Sequence, residues 1–146
     1  MTMFDSGLTV VQRTAICFAA GVLGALAVVL CSYVLFALGV SGSLGIPAPI
    51  ALKSPDIYRP LFWGGLWGIP FGLLLGAAWR HLYLFGFLYV IAPLAALYLV
   101  FLPMGGAGYF GLQRGGPKLT LYLFLVNLPF GIVTALAART IIGKQP

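Results

Sequence analysis

The groups that could do chemistry in this chain are few and scattered: one histidine, His81; two cysteines, Cys17 and Cys31; two carboxylates, Asp5 and Asp56; and no glutamate. A metal centre needs three or four such ligands converging, and a hydrolase needs a nucleophile held against a base and an orienting group. No spacing here supplies either. The glycines at 105, 106 and 108 superficially resemble a phosphate cradle, but no Lys-Ser/Thr pair follows and no strand precedes. Cys17 and Cys31 are fourteen residues apart in one apolar run, about 21 Å along a helix and far beyond disulfide reach. They read as small packing residues, and His81 reads as a polar residue at a membrane interface. The expectation is a protein with no catalytic residues, no metal and no cofactor, and therefore not an enzyme.

Binding groups are better represented. Arg59, Arg114 and Lys118, accompanied by Tyr58, Trp63 and Tyr109, lie in or beside two long connections and form a candidate anion or lipid-headgroup site. Cations beside aromatic residues are also the ordinary composition of an interfacial belt. Asn127 stands in the middle of an apolar run. An amide there cannot stay unsatisfied in hydrocarbon, so it is expected to bond to another helix or to a carbonyl freed by proline, as helix glue, or to line a polar pathway.

The most regular pattern is glycine at 64, 68, 72 and 76 in "WGGLWGIPFGLLLG". Four residues advance 400° around a helix, so these positions form one slowly rotating stripe of bare backbone. In water each would cost about 0.8–1 kcal/mol relative to Ala. In lipid, where apolar surface gains nothing by leaving its solvent, helices associate through close van der Waals approach, which such a stripe permits. Gly64, Gly68, Gly72 and Gly76 are thus the candidate helix-packing seam. Its partner is expected to be the first span, where Ala20, Gly24 and Val28 follow the same spacing, or a second copy of the chain. Pro70, Pro93 and Pro129 each fall inside an apolar run and are expected to kink it.

The elements that carry these residues follow from composition. Of 146 residues, 62% are hydrophobic and 7% charged, against roughly 45–50% and about 25% in soluble domains. Ten formal charges could not clothe a water-exposed surface, so the solvent is lipid. The apolar runs predict an all-α, polytopic membrane domain occupying residues 1–146, with four transmembrane helices in a bundle at about 14–38, 61–79, 82–102 and 120–138. The first could be mistaken for a cleaved signal, because Arg13 precedes it and "ALA" at 25–27 mimics a cleavage site. The apolar run continues through "VVLCSYVLFAL", so a retained anchor is expected.

Only Arg80 and His81 separate the second and third spans, which requires an antiparallel hairpin and puts both long connections on one side of the membrane. Arg13, Arg80, Arg139 and Lys144 fall on the terminal side, and Lys53, Arg59, Arg114 and Lys118 on the other. The count is balanced; cations near short connections, with the free amino terminus, favour cytoplasmic termini. Isolated cations cannot displace the counterions of a nucleic acid, so no nucleic-acid partner is expected. The halves also align: "LFWGGLWGIPFG" lies without gaps on "FLVNLPFGIVTA", setting Gly68 opposite Gly131, which suggests two parallel helix-pair repeats.

The segment "FLPMGGAGYFGL" at 101–112, followed by a span with a polar centre and a basic end, resembles uncharacterised small inner-membrane proteins of bacteria, the YagU-like group among them. That resemblance implies a bacterial inner-membrane setting and supplies no activity. The function expected is an accessory, structural or lipid-contacting bundle, with membrane lipids as partners and a homo-oligomer or larger membrane complex as its assembly. The alternative is a small oligomeric channel or facilitator for an anion or small solute, passing Asn127.

Overall fold

The computed structural model describes residues 7–143, so Asp5 and Lys144 lie outside the described residues. Helix α1 (Val10–Ala37) starts four residues before the apolar run suggests, because Thr9 caps it. The Thr9 hydroxyl accepts from the Gln12 amide at 3.2 Å while the Gln12 side chain accepts from the Thr9 amide at 2.9 Å. This reciprocal pair satisfies donors that a helix start otherwise leaves open. Gly39, in the left-handed region at φ 75°, ends the helix and leads into the one-turn α2 (Val40–Ser43).

Helix α3 (Tyr58–Ala78) contains Pro70 and runs into a tight 3₁₀ turn, Trp79–His81. Next come α4 (Leu82–Tyr89), α5 (Ile91–Ala96), a π-helical turn at Leu97–Phe101 and the short α6 (Leu102–Met104). The helical stretch Tyr58–Met104 is 47 residues long. Straight, it would run about 70 Å, more than twice a hydrocarbon core of about 30 Å. It folds back on itself instead. The Trp63 and Phe101 rings lie 4.9 Å apart, Tyr89 reaches the Trp67 carbonyl, and Phe71 packs 5.0 Å from both Phe85 and Tyr89. Residues 82–102 therefore run antiparallel to α3.

After a 3₁₀ turn at Tyr109–Gly111, helices α7 (Gly116–Asn127) and α8 (Pro129–Ile142) form a third long stretch. They join at Leu128, whose backbone stays helical (φ −50°, ψ −42°), so Pro129 interrupts the hydrogen-bond ladder without ending the helical path.

The described residues are helical with no strand, and three stretches, Val10–Ala37, Tyr58–Met104 and Gly116–Ile142, are long and apolar enough to cross a membrane. Helix α1 is central, packing on α3 along one face and on α8 along another, while α4 closes against α8. The enclosed core contains Cys17, Val29, Phe71, Leu75 and Thr134. Outside it, Leu23, Leu30, Leu73, Leu84, Leu88 and Leu136 are all exposed, an apolar exterior of the kind lipid solvates.

Candidate functional site

All four glycines of the stripe face α1 of the same chain. A methyl built on Gly64 would stand 2.6 Å from the Gly21 carbonyl oxygen, and one on Gly21 would collide with the Gly64 carbonyl. Gly68 meets the Cys17 carbonyl; Gly72 faces the Cys17 Cβ at 2.9 Å and the Thr14 Cα at 3.1 Å; Gly76 faces Arg13 Nη1 at 2.8 Å. The α1 face engaged is thus Arg13, Thr14, Cys17, Gly21 and Ala25. Of the Ala20–Gly24–Val28 row, Gly24 turns to α8, against Thr134 and the Phe130 carbonyl. Residues 20 and 21 point about 100° apart on a helix, so neighbouring small-residue rows serve different partners.

A second close contact joins α4 to α8. A methyl on Gly86 would stand 2.6 Å from the Gly131 carbonyl and 2.7 Å from the Ala135 Cβ, and one on Gly131 would overlap the Gly86 carbonyl. Neither glycine belongs to a stripe, so spacing gives no sign of the pair. The only trace in the sequence is the alignment of Gly68 with Gly131, and these two hold like positions: each meets a carbonyl on the helix preceding its own in α1/α3 and α4/α8.

Asn127 is half-buried, and its Nδ2 donates to the Leu123 carbonyl of its own helix at 2.7 Å. That bond uses neither a neighbouring helix nor a carbonyl freed by proline. Other residues meet the carbonyls near the prolines. The Tyr89 hydroxyl donates to the Trp67 carbonyl at 2.6 Å, three residues before Pro70. The Cys31 thiol donates at 3.9 Å to the carbonyl of Leu125, four residues before Pro129 and so the one deprived of its usual amide partner. The Leu125 carbonyl also accepts from the Leu128 amide of its own stretch at 3.3 Å, and near both prolines the side chain that adds a bond comes from another helix, beyond the reach of local spacing.

Arg59, Arg114 and Lys118 are all exposed. Contact between Trp63 and Phe101 brings the start of α3 and the second long connection to one end of the molecule. Arg114 is tethered there, its Nη2 donating to the Gly105 carbonyl at 3.2 Å. Arg114 and Lys118 flank the junction of that connection with α7, while Arg59 stands on a separate element, the first turn of α3. Beside the junction lies an open apolar groove of about 500 Å³, lined by Tyr98, Phe110, Leu112, Pro117, Thr120, Leu121 and Phe124.

Phe110 is the one non-glycine residue with positive φ among the described residues, at 58°. For a bulky side chain this conformation costs about 1–3 kcal/mol and persists only where its surroundings enforce it. Here the Phe110 carbonyl accepts from Thr120 Oγ1 at 2.6 Å and its ring lies 5.3 Å from that of Tyr98. Tyr98 in turn donates to the Thr120 carbonyl at 2.6 Å. Nothing in the sequence marks Phe110, since left-handed backbone is ordinarily signalled by glycine.

At the opposite end, His81 ends the 3₁₀ turn and Arg139 lies over the Tyr83 ring, 5.4 Å from its centroid. Among the described residues no three His, Cys, Asp or Glu side chains gather as a metal would require. Comparison with known proteins finds no matching family model, curated protein or solved structure.

Proposed function

We propose that this chain is a non-enzymatic integral protein of the bacterial inner membrane, crossing four times as a helical bundle and acting as an accessory, structural or lipid-contacting component of a larger assembly. The observation that carries this reading is the pairing of an apolar exterior with helix contacts closed down to backbone on backbone, at Gly21/Gly64, Gly68/Cys17 and Gly86/Gly131. Such contacts make a rigid scaffold and leave no room along α1/α3 or α4/α8 for a solute. The like placement of Gly68 and Gly131 supports an origin from two parallel helix-pair repeats. Termini on the cytoplasmic side, and self-association through the exposed apolar faces, complete the proposal.

Flux through liposomes carrying the purified protein tests it. Native chain, Asn127→Leu and Arg114→Ala are expected to be equally silent for anions, cations and small neutral solutes. Solute movement that Asn127→Leu abolishes would overturn the accessory reading and establish a channel or facilitator in its place. The internal bond from Asn127 to Leu123 favours silence, because it already occupies an amide donor that a conducting path would use.

A further inference from the structure

We propose that the groove between the second long connection and α7 binds an anionic glycerophospholipid, with an acyl chain along Pro117, Leu121 and Phe124 and the phosphate at the mouth beside Arg114 and Lys118. The inference rests on the membrane-embedded reading above and gives its lipid contact a place and a chemistry.

The groove has the form that this ligand requires. Pro117, Leu121 and Phe124 follow one another at helical spacing along one face of α7. From the first to the last the helix rises about 10 Å, so the groove descends from the loop end into the depth occupied by upper acyl chains. Its polar groups are already engaged: the Tyr98 hydroxyl with the Thr120 carbonyl, and the Thr120 hydroxyl with the Phe110 carbonyl. A water-soluble anion would find no donor inside, whereas an alkyl chain needs none. The groove is open along its length and lined almost wholly by apolar surface, a form that an alkyl chain can lie against from the surrounding lipid.

Selectivity would come from two cations that do not line the groove but neighbour its lining along the chain. Arg114 and Lys118 lie within two residues of the lining residues Leu112 and Pro117, and Asp56, in the other long connection, is the one acidic residue among those described. Two cations with no carboxylate in their own connection complement a phosphodiester with a neutral or anionic head, as basic pockets at membrane surfaces do. Arg114 is held in place by its bond to Gly105. Phe110 forms one wall of the groove in a backbone conformation that glycine would adopt without strain, and strain retained by an aromatic wall is the kind found at ligand clamps.

The experiment uses the full chain in a neutral detergent, titrated with phosphatidylglycerol or phosphatidylcholine of identical acyl chains, reading bound lipid by native mass spectrometry and the thermal midpoint. Phosphatidylglycerol is expected to be retained in preference on the order of tenfold, given two surface cations. Arg114→Gln with Lys118→Gln should erase the preference. Arg80→Gln, at the opposite end, should keep it, and Leu121→Trp, which fills the groove, should lower retention of both lipids with the helical circular dichroism unchanged. Lys118→Gln alone, at an exposed position, should halve the preference or more and serves if the double variant does not fold.

Equal retention of the two lipids by the native chain, or a preference surviving in the double variant, would overturn the proposal. So would its loss in Arg80→Gln, which would mark diffuse attraction, or stabilisation by inorganic phosphate matching that by phosphatidylglycerol, which would mark a soluble anion. Flux in liposomes would overturn the accessory reading and leave this one standing; loss of lipid preference would do the reverse.

Discussion

At Gly68 the α1 and α3 backbones come so close that a single methyl would overlap the Cys17 carbonyl oxygen. Gly68→Ala is therefore expected to destabilise the fold by about 1–3 kcal/mol or more, as overpacking does. Gly42, with open space around it, provides the control: Gly42→Ala should leave the thermal midpoint in detergent unchanged or slightly raised. Tyr89→Phe removes the donor to the Trp67 carbonyl, three residues before Pro70, and should cost about 0.6–1.7 kcal/mol, the range for interhelical hydrogen bonds in lipid. Asn127→Leu should cost less than about 1 kcal/mol, because the bond lost lies within one helix. The glycine stripe and the lone Asn127 are visible in the chain as written. What each faces is not: Asn127 turns to its own Leu123, and Gly24, which shares the four-residue spacing, turns to α8. Spacing defines a face of a helix, and only the assembled fold decides what lies opposite.

Helices are legible to different depths. Apolar length locates the runs, but α1 begins at Val10, where the Thr9–Gln12 capping box sets the start, and not at Thr14. That box, "TVVQ", is a local signal available to a closer reading of the ends. The turn at Trp79–His81 falls where the polar pair Arg80–His81 interrupts the apolar run, while the π-helical turn at Leu97–Phe101 has no sequence mark. Cys17 reports on the α1/α3 contact, since its side chain is fully buried there. Native protein in detergent should leave Cys17 unmodified by N-ethylmaleimide over a period in which the denatured chain reacts fully. Gly68→Leu should make it reactive by forcing the two helices apart. Mass spectrometry of the Cys17 peptide checks both outcomes.

For the whole molecule, composition alone carries the membrane setting, because a chain 62% hydrophobic and 7% charged has no way to dress a surface for water. Topology is the finer proposal, and it has a direct test. Single cysteines at Ser43 and Gln113, in a background without Cys17 and Cys31, should be modified by an impermeant maleimide from the same side of sealed vesicles. A cysteine at Arg80 should be modified only from the other. Ser43 and Gln113 reacting from opposite sides would remove the four-crossing topology. The loop-side groove illustrates what no one-dimensional reading supplies: it unites Tyr98, Phe110 and Phe124 from three separate segments, and its wall depends on a backbone angle at Phe110 that the residue type argues against.

At Gly21, Gly68, Gly86 and Gly131 the nearest obstructing atom is a main-chain oxygen, that of Gly64, Cys17, Gly131 and Gly86 respectively, whereas at Gly24 and Gly64 it belongs to a side chain, Thr134 Oγ1 and the Ala25 Cβ. At Gly65 the obstacle is the Phe18 ring, which a smaller residue at 18 would remove. A larger residue at 65 can therefore be rescued by a second change, but one at 68 or 131 cannot, since every amino acid carries the same carbonyl. Lineages descending from this chain would be free to drift across its oily exterior while those few bare positions stay locked, with no second-site suppressor to release them.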